Sequence, residues 1–212
     1  CQCPDAQVEF LVGGTQTNAT VIDSFLASYQ GILCADSGHI AVHEAGAIEL
    51  TRHKVLPLKG KDGKLSPKTL EAFLSDFALD ENNAHTVQPG MVYLSQPTEY
   101  GSLYDKAELT AISNLCKKHL LLLFVDGARL AYALAAPEND VTLPDLAKLC
   151  DVFYIGGTKC GALFGEAVVI PDSRRLPHFF TSIKQHGALL AKGWLLGLQF
   201  DELFQEDLYL QI

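Results

Sequence analysis

The stretch VFYIGGTKCGALFGEA, residues 152–167, places a lysine directly after a strand-like apolar run. Val152 to Ile155 are bulky and apolar, two glycines follow, and Lys159 stands among small residues. A lysine amino group can form an imine with a carbonyl compound once its proton is lost, and burial helps to remove that proton. We therefore expect Lys159 to be a buried, reactive amine or, alternatively, the cationic half of a buried ion pair.

A carboxylate ends a second apolar run, LLLFVDG, at residues 121–127. Burying Asp126 there costs free energy unless a cation meets it. Arg129 follows closely along the chain, and Lys159 follows the next predicted strand. An ion pair with one of these two residues is the structural interpretation of Asp126, and binding of a cationic ligand atom is the functional one.

The segment GGTQTN, residues 13–18, joins a strand-like run to a helical one. Its glycines permit a tight turn, Thr15 and Thr17 offer hydroxyl groups, and the start of a helix presents free N–H groups to an anion. The segment matches neither the GxGxxG nor the Walker pattern. It could bind a single phosphate group, and an ordinary turn is the alternative.

Two histidines and two glutamates follow other predicted strands. His39, His43 and Glu44 lie in DSGHIAVHEAGA, and Glu99 lies in QPTEYGSLY, in a turn that could overhang a pocket. Histidines four residues apart can bind zinc, but the order is not HExxH and no third ligand is evident, so we predict no metal site. We expect one histidine to support a flat cofactor ring and the other to be a surface residue.

Seven short runs are apolar on both faces, as in a mostly parallel sheet with helices on both faces. They cover residues 8–14, 31–36, 54–59, 91–97, 121–127, 152–157 and 166–171. Helical patterns alternate with these runs. One predicted helix is capped by Ser66 and has Pro67 in its first turn, and a second covers residues 106–119. A third, long helix is predicted over 180–205, with a kink at a glycine. The polar stretch 80–90 is predicted to be an exposed loop. The alternation indicates an α/β fold with an open seven-stranded sheet.

In an open α/β sheet, ligands bind at the carboxyl ends of the strands, which is where all of these polar groups are predicted. Pyridoxal phosphate (PLP) needs a lysine for an imine, an acid beside its pyridine nitrogen, a support for its ring and a site for its phosphate. The sequence has one candidate for each requirement, and it therefore predicts a PLP site. An NAD-binding Rossmann protein is a weaker alternative, because GxGxxG is absent and Lys159 would have no role.

Charge and composition exclude other classes of partner. A net charge of −9 and a pI near 5.1 argue against binding of nucleic acid or of an anionic membrane. The longest aliphatic run, HLLLLFV, is far shorter than the roughly 18 residues that span a bilayer. The six cysteines show no CxxC spacing, and Cys1-x-Cys3 is too weak a pattern for a metal site. We expect free thiols and a cytoplasmic protein.

Five segments, taken in order, resemble the threonine aldolase and aromatic amino acid β-eliminating lyase family of PLP enzymes. They are GGTQTN, GHIAVHEAGAIE, QPTEYGSLY, FVDGARL and YIGGTKCGALFGEA. The resemblance spans essentially the whole chain and implies the aminotransferase-like fold of type I PLP-dependent enzymes. Residues 1–212 would form the large, PLP-binding domain, and an N-terminal segment and a small C-terminal domain of the family would be missing.

The resemblance also implies a role for each candidate residue. Lys159 would carry the cofactor, Asp126 would keep its pyridine nitrogen protonated, and His39 would stack on its ring. Gly14, Thr15 and Gln16 would bind the phosphate. Arg129 would bind the cofactor and the substrate carboxylate, and His43 would also contact the substrate.

The implied reaction is retro-aldol cleavage of L-threonine or L-allo-threonine, through an external aldimine, to glycine and acetaldehyde. His39, His43, Glu99 or a held water could take the proton from the substrate hydroxyl. Glu99 stands where many threonine aldolases have a histidine, which leaves threonine specificity open. A β-eliminating lyase on another amino acid and a truncated non-catalytic homologue are the alternatives. The implied partners are a small amino acid and further copies of the chain, in a homodimer or homotetramer.

Overall fold

The computed structural model describes residues 2–211, so Cys1 of the Cys1-x-Cys3 pattern lies outside the described residues. Seven strands form one sheet. They are β1 (Gln7–Leu11), β2 (Gln30–Ala35), β3 (Val55–Leu58), β4 (Gln88–Ser95), β5 (Leu122–Asp126), β6 (Val152–Gly156) and β7 (Glu166–Ile170). The spatial order is β1-β7-β6-β5-β4-β2-β3, and only the two pairings that involve β7 are antiparallel. The predicted mostly parallel, seven-stranded sheet is confirmed.

The described chain has nine α-helices, of which the first seven connect strands and the last two follow β7. They are α1 (Gly14–Phe25), α2 (His39–Val42), α3 (Ala47–Leu50), α4 (Pro67–Leu79), α5 (Lys106–Lys118), α6 (Leu130–Ala135), α7 (Leu143–Leu149), α8 (Phe179–Gln185) and α9 (Trp194–Leu203). Short 3₁₀ helices cover Asn83–His85, Ser173–Arg175 and Gln205–Leu210. Among the helices of residues 2–211, none combines the length and the apolar character that crossing a membrane requires.

Side chains that alternate along the central strands fill two separate cores, one on each face of the sheet. In β5, Leu123 and Val125 pack into the core formed with α4, α5, α6 and α7, whereas Phe124 packs into the core formed with α1 and α8. In β6, Phe153 and Tyr154 divide between the two cores in the same way. This alternation follows from the two-residue period of a strand, and it confirms helices on both faces.

Two of the predicted helices have the expected ends. The Ser66 hydroxyl accepts the Thr69 N–H at 3.0 Å, and Pro67 occupies the first turn of α4. The predicted helix over 106–119 corresponds to α5, which begins with a reciprocal capping box between Asp105 and Glu108. Both helices start where the local sequence satisfies the free N–H groups of the first turn.

The prediction of one long helix over 180–205 is wrong, because two helices, α8 and α9, cover this stretch and residues 186–193 separate them. Gly187 adopts the left-handed conformation with φ 64°, its N–H bonds to the Lys184 carbonyl, and the Ala188 N–H bonds to the Ile183 carbonyl at 2.9 Å. These are the two bonds of a Schellman motif, which ends a helix at glycine instead of bending it.

Two further boundaries differ from the prediction. The stretch 80–90 is not entirely loop, because it contains a 3₁₀ turn and the first residues of β4, which starts at Gln88. The first strand, predicted over 8–14, ends at Leu11 because α1 already begins at Gly14. This early start places the first turn of α1 at the carboxyl edge of the sheet, beside the ends of β5 and β6.

Candidate active site

One pocket at the carboxyl edge of the sheet collects most of the candidate residues. Its lining includes Gly14, His39, Glu99, Asp126, Arg129 and Lys159, together with Ser95, Pro97, Ala128 and Tyr154. The topology explains this convergence, because the parallel strands β4, β5 and β6 end side by side, with Ser95 in register with Asp126. Six residues chosen from the sequence are thus neighbours around one pocket.

Three other candidates lie outside this lining. His43 borders a neighbouring pocket with Asp36 and Tyr100, and its ring centroid lies 5.7 Å from that of His39. Thr15 is exposed in the first turn of α1. The Gln16 side chain turns back along the chain, where its oxygen accepts the Val12 N–H at 3.2 Å.

Asp126 is buried at the end of β5 and is satisfied by hydrogen-bond donors. Its Oδ2 accepts the Tyr93 hydroxyl at 2.5 Å and the Asn18 amide at 3.1 Å, and its Oδ1 accepts the Ala128 N–H at 2.9 Å. The ion pairs found within residues 2–211 include none that joins Asp126 to Arg129 or Lys159. The interpretation of Asp126 as half of an ion pair is therefore wrong for this chain.

Asn18 joins Asp126 to a second buried acid, Glu44. Its amide nitrogen donates to Glu44 Oε1 at 2.7 Å and to Asp126 Oδ2, using both of its hydrogens. Glu44 Oε1 also accepts from Nδ1 of His39 at 2.8 Å. A continuous chain of hydrogen bonds thus runs from the His39 ring to the Asp126 carboxylate.

Two residues of the site, Asn18 and Tyr93, were not predicted from the sequence. Asn18 stands inside GGTQTN and Tyr93 inside a predicted strand, so both positions were visible, but no local pattern marks them as partners of Asp126. The contact between Asn18 and Asp126 spans 108 residues of sequence. Only the tertiary structure can identify such a pair.

His39 is held in a defined orientation and, in its neutral form, in one tautomer. A carboxylate only accepts hydrogen bonds, so the contact with Glu44 places a proton on Nδ1 and leaves Nε2 as the acceptor of the neutral ring. The hydrogen bond to Glu44 raises the pKa of His39, and burial opposes this effect. The Lys159 charge, like burial, lowers the pKa of His39.

Replacing Glu44 with glutamine is expected to lower the pKa of His39, because the negative charge that stabilises the imidazolium is lost. The measurement is an NMR titration of the His39 ring in the chain without cofactor. Glu49→Gln, an equal charge change in the neighbouring helix α3, is the matched control and leaves the hydrogen bond intact. An equal shift in both variants, or no shift in either, would contradict the assignment.

Glu99 is anchored through one carboxylate oxygen. Its Oε1 accepts the backbone N–H of His39 at 2.9 Å and the Ser95 hydroxyl at 2.7 Å. Its Oε2 is buried and has no hydrogen-bond partner within the described chain. Glu99 therefore fixes the start of α2 and has one carboxylate oxygen that no described residue uses.

Lys159 is exposed, which corrects the expectation of a buried lysine. The physical reason is the turn between β6 and β7, which leaves the sheet at Gly157 and carries Lys159 to the edge of the pocket. The Gly157 and Thr158 N–H groups both donate to the Gly165 carbonyl at 3.0 Å and close this turn. Lys159 thus lines the same pocket as Asp126.

The residues around the pocket suit a PLP-like molecule. The first turn of α1 offers N–H groups without intrahelical partners, and its N-cap, Gly13, contributes no side-chain cap. A side chain at Gly14 would place its Cβ 3.3 Å from the Tyr154 hydroxyl, so glycine keeps this end open. The Tyr154 hydroxyl is buried near Asp126 but outside hydrogen-bond geometry, an unsatisfied polar group in the lining. Burial and the Asp126 charge raise its pKa well above the ordinary value.

Metal binding has no comparable support. Across residues 2–211, no group of three or more His, Cys, Asp and Glu side chains is arranged to hold a metal ion. His39 and His43 are within ring contact, but His39 Nδ1 is already used by Glu44.

This chain is similar to known proteins over nearly its whole length. A family model described as beta-eliminating lyase matches residues 4–196. A low specificity L-threonine aldolase of a Pseudomonas species is 32% identical over 209 residues, covering 98% of this chain and 59% of that protein. A second, from Pseudomonas aeruginosa, is also 32% identical over the same length.

Solved structures show the same relationship. A threonine aldolase from Leishmania major is 48% identical, has a TM-score of 0.93, and is matched over 98% of this chain and 60% of its own. A double-mutant aspartate aminotransferase from Thermus thermophilus has a TM-score of 0.70 at 13% identity, over 96% of this chain and 50% of its own, and shows the aminotransferase-like fold. The chain thus spans about three fifths of the length of these three threonine aldolases. By the extent of the family match and the order of its motifs, this chain belongs to the beta-eliminating lyase family.

Proposed function

We propose that this chain is the PLP-binding large domain of a lyase that cleaves L-threonine or L-allo-threonine to glycine and acetaldehyde. The observation that carries the proposal is the placement of Asp126, His39, Lys159 and the start of α1 around one pocket. The similarity to low specificity L-threonine aldolases supports the choice of reaction.

Each residue has a task that follows from its contacts. Lys159, exposed at the mouth of the pocket, would bind the cofactor covalently. Asp126 would keep the pyridine nitrogen protonated by accepting a hydrogen bond from it, because its three donors hold the carboxylate in place and stabilise its charge. His39, oriented by Glu44, would support the ring, and the first turn of α1 would bind the phosphate. When bound, PLP supplies an electron sink for bonds that break at the substrate α-carbon.

Two side chains in the pocket could take the proton from the substrate hydroxyl. His39 presents an unprotonated Nε2 in its neutral form, and Glu99 keeps Oε2 without a partner. Glu99 also fixes the backbone of His39, so its replacement would alter both groups together. Arg129 lines the pocket and would bind the substrate carboxylate. His43, expected from the sequence to contact the substrate, borders the neighbouring pocket instead.

We infer a homodimer or homotetramer and a cytoplasmic location as further parts of the proposal. Trp194 and Leu198 on α9 are 60% and 57% exposed, which suits an apolar contact with another copy. Cys34, Cys116 and Cys150 are free thiols, and unpaired cysteines suit a reducing compartment.

Product analysis tests the proposed reaction. The chain is incubated with PLP and L-threonine or L-allo-threonine, and the expected products are acetaldehyde and glycine in equal amounts. Pyruvate and ammonia from another amino acid would instead indicate β-elimination. A folded chain that binds PLP but forms neither pair of products would contradict catalysis by this chain and favour a non-catalytic role.

A further inference from the structure

Asn18 is a buried amide to which the function proposed above gives no task. It lies in the second turn of α1 and is 0% exposed. Its Nδ2 donates to Glu44 Oε1 at 2.7 Å and to Asp126 Oδ2 at 3.1 Å, whereas its Oδ1 has no hydrogen-bond partner among the described residues. A buried carbonyl oxygen without a donor costs free energy, so the two bonds to the acids determine the orientation of this amide.

The two acids require a neutral side chain that carries two hydrogens on one nitrogen. A serine or threonine hydroxyl donates a single hydrogen, and an aspartate of the same shape would add a third acceptor. A glutamine has the same amide group but one more methylene to place in a packed interior. A lysine or arginine would bring a charge to a fully buried position. Asparagine is therefore suited to join two buried carboxylates at this point of α1.

The two acids depend on Asn18 to different degrees. Asp126 has two further donors from the protein, and it ends a strand in the middle of the sheet. Glu44 lacks this support: within residues 2–211 its Oε1 accepts from Asn18 and His39 alone, and its Oε2 has no partner. Asn18 is thus the link through which the Glu44 carboxylate is held to a rigid part of the fold.

The ring of His39 has one hydrogen-bond partner in the part of the chain that the structure describes, and this partner is Glu44. The backbone of His39 is fixed separately, because its N–H donates to Glu99 at 2.9 Å. The ring is held through Nδ1, which lies 2.8 Å from Glu44 Oε1. Loss of the Asn18 amide would therefore leave the backbone of His39 in place and release the partner of its ring.

We propose that Asn18 is a positioning residue for His39. By joining Glu44 to the fixed Asp126 carboxylate, it sets the orientation and the tautomer of a ring with which it shares no hydrogen bond. The acid expected beside the cofactor nitrogen and the ring expected to support the cofactor are thereby held in one geometry. The inference rests on the proposed function only for the tasks of Asp126 and His39.

The test compares two variants that each remove one buried donor from Asp126. In Asn18→Ala the link to Glu44 is lost as well, whereas Tyr93→Phe leaves that link intact. The measurement is the ratio of the two neutral tautomers of His39, read from the ¹⁵N NMR shifts of its ring in the chain without cofactor. We expect the ratio of the Nδ1-protonated to the Nε2-protonated form to fall by about tenfold in Asn18→Ala, because a hydrogen bond of ordinary strength is lost. The ratio is expected to stay unchanged in Tyr93→Phe.

An unchanged tautomer ratio in Asn18→Ala, or an equal fall in Tyr93→Phe, overturns the proposal. If Asn18→Ala does not fold, the NMR signals of the Asn18 NH₂ group in the unaltered chain decide. We expect both hydrogens to be protected from exchange with solvent and to shift with the same midpoint as the His39 ring when pH is varied, because Glu44 Oε1 accepts from both residues. Rapid exchange, or signals that do not follow His39, would contradict the proposal.

Neither readout needs PLP or turnover, so this inference and the proposed function can fail separately. A chain that gives the expected tautomer ratios but binds no PLP supports the positioning role of Asn18 and contradicts the proposed function. A chain that forms glycine and acetaldehyde, but whose tautomer ratio is unchanged by Asn18→Ala, supports the proposed function and overturns the positioning role.

Discussion

Replacing Lys159 with alanine is expected to abolish the covalent attachment of PLP and to reduce lyase activity by about a thousandfold or more. The residue lines the pocket at the mouth, its side chain is exposed, and removing the amine leaves the pocket otherwise intact. The measurement is the visible absorption band that appears when PLP is added, together with its loss on treatment with borohydride. Unaltered protein shows a band that borohydride removes, and the variant shows none.

A second lysine provides the control for this experiment. Lys148, exposed in α7, lies outside the pocket lining, and Lys148→Ala is expected to keep both the band and its sensitivity to borohydride. If Lys159→Ala retains a reducible band and Lys148→Ala does not, the assignment of the covalent residue is wrong. A folded, unaltered chain that shows no band would contradict PLP binding altogether.

Replacing Asp126 with asparagine is expected to reduce lyase activity by about a thousandfold and to destabilise the fold by about 2 kcal/mol. The carboxylate accepts from Tyr93, Asn18 and the Ala128 N–H. An amide has one acceptor oxygen, so its NH₂ group must face at least one of these donors and leave buried hydrogen-bonding groups unsatisfied. The amide also carries no negative charge to stabilise a protonated pyridine nitrogen, which weakens the electron sink.

Two measurements separate the effects at Asp126. Denaturant unfolding reports the free energy of unfolding, and PLP binding with product formation reports the site. Tyr93→Phe removes one of the three donors but keeps the charge, and it is expected to cost much less activity than Asp126→Asn. Asp76→Asn, on an exposed position of α4, controls for the change in net charge. Equal activity in Asp126→Asn and Asp76→Asn would exclude the proposed role of Asp126.

Local sequence was sufficient for most of the architecture. Runs that are apolar on both faces predict all seven strands, because a parallel sheet buries both of its faces. Ser66 and Pro67 predict the start of α4, because capping and the missing proline N–H are decided within one turn of chain. The failed prediction over 180–205 is also local in origin, since apolar periodicity continues past Gly187 while the backbone reverses there.

The chemical types at the site were also determined by the sequence. The strand-end rule places Asp126, His39 and Lys159 at one edge of the sheet, because parallel strands present their carboxyl ends together. That rule needs only the order of strands and the residues that follow them. It predicts which side chains meet, and it contains no information on their hydrogen-bond partners.

Those partners were decided by the tertiary structure alone. Asn18 reaches Asp126 and Glu44 from α1, and Glu166 reaches the Lys159 turn from an antiparallel strand. Lys159 is exposed rather than buried because the turn after β6 is closed by the start of β7. Sequence patterns report on neighbours along the chain and on the side of an element that is buried. The protonation and orientation of a site depend instead on contacts between residues far apart in sequence, which exist only once the sheet has formed.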